Sequence, residues 1–208
     1  MTRTYSQRSW IAHYLPKLLE AGVQPDDARV AAHLGMQIVQ THQACYGIDS
    51  EVPCGYRILP ESDGVIAVCF GRRFGNRSDG YIVHPTGLAG LVSVQVAEYA
   101  GHVASDVVLA SLAVHEVRHH VQDVEAATLR MFRRDQIRGV WTDPQAAVVA
   151  AGMEMQYREE EQQTGEIRAD IEFDADVVER LFIHRAGKMR TAEDLAALVR
   201  MDSPYVSP

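Results

Sequence analysis

The most constraining stretch of this chain runs from Val107 to His120. There Val107, Val108, Leu109, Leu112, Ala113 and Val114 lead directly into His115-Glu116-Val117-Arg118-His119-His120. The apolar part suits a helix buried at the centre of a domain. Its far end carries two imidazoles and a carboxylate inward, at a cost on the order of several kcal/mol unless these groups are paired or bound to a metal. A fold that buries this helix must therefore supply partners for them.

On an α-helix His115 and His119 lie one turn apart on one face, so both rings reach a single ion. Glu116 is turned about 100° from His115, which puts its carboxylate beside that ion rather than on it. Neutral imidazoles are zinc donors, and an open coordination position keeps a water whose pKa falls toward about 7. Glu116 then stands where a general base can take the water's proton and return it to a leaving amine. His120 is turned about 140° from His115, too far to share the ion, and is expected at the surface or beside a ligand. The competing reading is a solvated helix end, with all these polar groups in water.

Two histidines leave a zinc ion short of a protein ligand. The carboxylates downstream are Glu154, Glu166, Asp170, Glu172, Asp174, Asp176 and Glu179. On the helix expected over 167–186, Ile171, Val178, Leu181 and Phe182 form the apolar stripe with Ala175 in line. Glu172 and Asp176 stand together on its flank at i and i+4. On position alone, Asp176 and Glu166 rival Glu172 as the third ligand, and ligation by Asp176 would make the site aspzincin-like.

The segment Glu172-Phe173-Asp174-Ala175-Asp176 resembles the Glu-x-x-Ala-Asp/Asn signature of gluzincin zinc metallopeptidases, among them the minimal ImmA/IrrE-like peptidases. The likeness implies that Glu172 is the third zinc ligand, that Ala175 packs against the active-site helix, and that Asp176 supports a ligating histidine. It further implies hydrolysis of peptide bonds in a protein or peptide substrate. It spans roughly residues 64–186 through two short motifs. Two positions depart from the pattern: Arg118 stands where the family often has Gly, and Asp174 where some members have Glu.

The rest of the chain sets the frame. Apolar residues at three- and four-residue steps, as in Val30, Leu34 and Ile38, predict helices over 9–20 and 25–41, broken by Gly22 and Pro25. The Gly- and Pro-bearing stretch 46–60 reads as a connector. Val65 to Phe70 and Tyr81 to His84 read as two strands joined by a loop. Val92, Val94 and Val96 alternate with polar or small residues, predicting a third strand near 92–98 that could pair with a substrate chain. Helices are expected over 107–123, with Ser105 or Asp106 as N-cap, and over 124–138, 144–163, 167–186 and 191–201. The expected fold is α+β and zincin-like: a small antiparallel or mixed sheet, an active-site helix and a helical C-terminal half. Residues 1–45 form an N-terminal helical segment and 46–208 the metallopeptidase domain, the two expected as one unit.

Bulk properties narrow the partners. The formal net charge of −8 argues against nucleic acid or anionic lipid as a partner held by the overall field. The arginine groups at 72, 73 and 77 and at 130, 133, 134 and 138 read as solvated faces. Three cysteines, Cys45, Cys54 and Cys69, fit neither a disulfide framework nor a Cys-x-x-Cys zinc site. The N-terminus lacks the apolar region of a secretory signal, and no apolar run reaches the roughly 20 residues of a membrane span, so a cytoplasmic protein is expected. The sequence thus points to a zinc-dependent metallopeptidase, with a zinc-stabilised, non-catalytic binding or regulatory protein as the alternative. It specifies neither substrate nor oligomeric state, and it selects neither Tyr157 nor His184 as the group that stabilises an oxyanion.

Overall fold

A computed structural model describes residues 7–47, 54–56, 67–70, 80–99, 101–126, 144–153 and 166–201. Helix dominates. The elements run α1 (Gln7–Glu20), α2 (Pro25–Tyr46), β1 (Cys54–Tyr56), β2 (Ala67–Phe70), β3 (Gly80–Val83), α3 (Leu88–Glu98), α4 (Ser105–Ala126), α5 (144–153), α6 (Glu166–Arg185) and α7 (Ala192–Val199), with a 3-10 turn at Ala186–Lys188. No helix among the described residues is long and apolar enough to cross a membrane.

Helix α4 is the axis of the structure because it is apolar nearly all round. Val108, Leu109, Leu112, Ala113, Val114, Val117 and Val121 are all buried, and a helix without a polar face must be covered on every side. The covers are α2, α3, α6, α7 and strand β2. Each such Val or Leu contributes about 1.5–3 kcal/mol on leaving water. The α4 helix continues to Ala126 without the break expected at 123. Its first turn opens at Ser105, where the carbonyl of residue 104 takes the amides of Val107 and Val108. Asp106 sits inside that first turn and accepts from the Val107 amide at 3.0 Å, rather than capping the helix from outside.

Of the N-terminal helices, α2 forms part of this cover and α1 packs on α2. Pro25 opens α2, where its missing N–H costs nothing. Ala28, Ala31, Leu34, Ile38 and Val39 give α2 its buried face. Helix α1 lies on α2 through Trp10: a Cβ on Gly35 would sit 3.2 Å from the indole, tight enough that the ring would have to shift by a few tenths of an ångström. A buried cluster joins α2 to α4, with His42 and His120 ring centroids 4.9 Å apart and Tyr46 and Tyr81 around them. Burial, with a smaller contribution from His120, pushes the His42 imidazole down to about 4. His120 is thus a core residue, 7% exposed, and the expectation of a surface position is wrong.

Three short strands form a mixed sheet of order β1-β3-β2. The two strands expected on either side of the loop pair antiparallel, Val68 opposite Ile82. Strand β1, hidden in the Gly- and Pro-bearing connector, pairs with β3 in parallel, Gly55 opposite Ile82.

The strand expected near 92–98 is instead helix α3. The valine alternation is outweighed by capping from α2 and by a helical burial pattern. Gly87 adopts a left-handed backbone, φ 72°, just ahead of the first turn. The Asp27 carboxylate on α2 accepts from the Gly87 and Ala89 amides at 3.2 and 2.9 Å. Leu88 and Val92 are buried one turn apart, whereas Val94 is 57% exposed, a spacing that only a helix satisfies. Asp27 therefore caps a helix some sixty residues away, and its charge complements that helix's N-terminal dipole. Replacing Asp27 with Ala should lower the unfolding free energy by about 1 kcal/mol. Urea denaturation of the two proteins should show this as a lower midpoint with an unchanged slope.

Candidate metal centre

Helices α4 and α6 pack along each other, and the functional side chains fill the seam between them. His115 and His119 project from adjacent turns of α4 with ring centroids 4.7 Å apart at 83°. Their Nε2 atoms face one another at 3.0 Å. From α6, Glu172 Oε2 lies 3.4 Å from both nitrogens. Three donor atoms from two helices thus close a triangle with sides of 3.0, 3.4 and 3.4 Å.

This triangle has the dimensions of a metal site. Zinc bonds of about 2.0–2.1 Å at tetrahedral angles put neighbouring ligand atoms about 3.3 Å apart. Hydrogen bonding explains the arrangement less well. N–H···O bonds run at about 2.7–3.2 Å, and one proton can bridge two of the three atoms but not all three. Two imidazole nitrogens and one carboxylate oxygen also form a donor set that suits zinc.

The outer ring nitrogens are held as well. His115 Nδ1 lies 2.9 Å from Asp176 Oδ1 and 3.2 Å from Glu179 Oε2, close approaches that are not aligned as hydrogen bonds. Ser111 Oγ lies 2.8 Å from the Val108 carbonyl oxygen and 3.1 Å from Glu179 Oε1, so its single hydroxyl proton is shared between that carbonyl and the carboxylate. His119 Nδ1 lies 2.9 Å from Gln122 Oε1. Ala175, fully buried, sits between Asp174 and Asp176, both of which touch α4.

The electrostatics follow from the crowding of acids. Burial alone would push the His115 imidazole down, but Asp176, Glu172 and Glu179 outweigh it and hold the ring well above the ordinary histidine range. His119 is likewise raised, with Glu172 overriding burial. Burial would raise Glu172, yet the two imidazoles hold its carboxyl below the usual range. The cluster is built to take up positive charge.

Glu116 differs from the other acids. It is 8% exposed, and its Oε2 is buried without a hydrogen-bond partner among the described residues. Burial pushes its carboxyl up, opposed by the charges of His115 and His119. A carboxylate left without a partner beside two imidazoles is costly as a structural element. It is well suited to receive a proton.

The structure therefore brings together His115, Glu116, His119, Glu172 and Asp176, the residues singled out from the sequence. Asp176 faces Nδ1 of His115, while Glu172 faces Nε2 of both rings. Glu179 joins Asp176 at His115. Its signal was the i, i+4, i+7 spacing of 172, 176 and 179, which puts three carboxylates on one helical face. Among the rival candidates, Asp174 turns away from the ion position to pair with Arg118. Arg118 is fully buried, so the reading of this helix end as solvated does not hold. His184 is exposed. Glu154, Tyr157 and both arginine groups lie outside the described residues.

No protein-family model matches the chain, and searches of curated proteins and of solved structures likewise return no match.

If the triangle binds metal, Glu172→Ala should abolish stoichiometric zinc in the purified protein. Asp176→Ala should keep zinc but bind it about 10- to 100-fold more weakly. Metal analysis with chelator competition reads both, and full zinc occupancy in Glu172→Ala would contradict this assignment.

Proposed function

We propose that the chain is a zinc-dependent metallopeptidase of gluzincin type, with a zincin-like arrangement of α4 and α6 around the ion. The observation that carries this reading is the triangle of His115 Nε2, His119 Nε2 and Glu172 Oε2, with the buried Glu116 beside it, whose Oε2 has no hydrogen-bond partner among the described residues. The resemblance of residues 172–176 to the Glu-x-x-Ala-Asp/Asn signature supports the peptidase assignment within the wider class of zinc hydrolases.

His115, His119 and Glu172 would hold the ion, which when bound supplies Lewis acidity toward a water and a scissile carbonyl. The chain's own residues divide the remaining work. Glu116 accepts the attacking water's proton on its buried carboxylate and delivers it to the departing amine nitrogen, and its raised proton affinity suits both halves of that transfer. Asp176 and Glu179 place negative charge behind His115, which makes the ring a stronger donor. The seam between α4 and α6 is half-buried, with the Glu172 side chain 33% and the Asp176 side chain 29% exposed, which weakens the screening of these charges and leaves the ion position open to a substrate. The substrate is a protein or peptide.

The alternative is a protein in which zinc only stabilises the fold. Glu116→Gln separates the two readings, because the amide keeps the shape of the side chain and cannot take a proton. With a quenched fluorescent peptide library as substrate, the native protein should cleave and Glu116→Gln should be about 10²- to 10⁴-fold slower with its zinc retained. A native chain that binds zinc and cleaves no library member would put the metal in a structural role.

A further inference from the structure

Arg118 and Asp174, the two departures from the gluzincin pattern, are partners of one another. Arg118 Nε donates to Asp174 Oδ2 at 2.7 Å and Arg118 Nη2 to Asp174 Oδ1 at 3.2 Å. Both side chains are almost fully buried, at 0% and 1% exposure. Arg118 also reaches the end of α7, where Nη1 donates to the carbonyls of Val199 at 2.7 Å and Met201 at 3.1 Å. The guanidinium thus serves as a C-terminal cap for a helix that is distant in sequence.

The pair leads back to the candidate metal centre through one more residue. Gln122 Nε2 donates to Asp174 Oδ2 at 2.6 Å, and Gln122 Oε1 lies 2.9 Å from His119 Nδ1. The hydrogen-bonding roles along this chain are forced. A guanidinium has donors only, so both Asp174 oxygens act as acceptors. Gln122 can then face Asp174 only with its NH2 group, which turns its carbonyl oxygen toward His119. That oxygen can only accept, so the His119 ring must carry its proton on Nδ1. The lone pair is left on Nε2, the atom that faces His115 and Glu172.

We infer that Gln122 is a positioning residue that fixes the tautomer and ring orientation of His119, and that the buried Arg118–Asp174 pair holds Gln122 the right way round. The inference rests on the zinc reading proposed above for its consequence, metal affinity. The polarity of the hydrogen-bond chain is a property of the protein alone. Through the Val199 and Met201 carbonyls the chain extends to α7, so the C-terminal helix and the candidate metal centre share one network.

Gln122→Met tests it, since this change keeps the side chain's length, removes the side-chain contacts to Asp174 and His119 and leaves the buried ion pair in place. Removing Arg118 or Asp174 instead would strand a charge in the core and endanger the fold. Long-range proton–nitrogen NMR of the metal-free protein, at alkaline pH where the imidazoles are neutral, should show His119 protonated on Nδ1 in the native chain and a mixture of tautomers in Gln122→Met. Zinc affinity, read by chelator competition, should fall about 10- to 100-fold. An unchanged His119 tautomer in Gln122→Met would overturn the inference, as would a native chain protonated on Nε2. Should the native protein bind no zinc, the metal reading fails, and the tautomer comparison still decides the role of Gln122.

Discussion

Everything in this structure turns on α4 being largely buried from Val108 to Gln122 while carrying ionisable groups in the second half of that stretch. Glu116 and Arg118 are buried and the His115 and His119 side chains only 15% exposed; Glu116 Oε2 has no hydrogen-bond partner among the described residues, whereas Arg118 and the two histidines take their partners inside. Helix α6 supplies most of them. Glu172 meets the inner nitrogens of both histidines, Asp176 and Glu179 the outer nitrogen of His115, and Asp174 the guanidinium of Arg118. The packing of these two helices and the assembly of the polar cluster are one event. Charges added to the seam without counterparts would cost more than the apolar packing nearby contributes.

Much of the cluster was legible because it depends on helical geometry. The spacing of His115 and His119 puts them on one face, and the spacing of Glu172 and Asp176 does the same on α6. No long-range knowledge was needed to see two half-sites. What local pattern could not show is which atoms meet across the seam. Glu179 was one carboxylate among several, and its place behind His115 follows from the rotation of α6 against α4. Arg118 read as a departure at one position and Asp174 at another, and their pairing spans 56 residues. His120 was misplaced for the same reason, since its partners His42, Tyr46 and Tyr81 come from distant segments.

The fold was less legible where two periodicities competed. Val92, Val94 and Val96 satisfy a strand's alternation, but Leu88 with Val92 satisfies a helix's turn, and the Asp27 cap from α2 favours the helix. A capping group sixty residues away leaves no trace in the local sequence. Strand β1 was missed because Cys54-Gly55-Tyr56 is short and set among residues typical of turns. It is a strand because β3 offers it a parallel partner.

The central claim is that His115, His119 and Glu172 share one zinc ion. Zinc-edge X-ray absorption of the loaded protein tests it most directly, because the method reads ligand identity and distance without needing a substrate. The account predicts two imidazole nitrogens at about 2.0–2.1 Å and carboxylate oxygen at about 2.0–2.2 Å, with no sulfur. A sulfur shell at about 2.3 Å, or a spectrum without imidazole scattering, would contradict it.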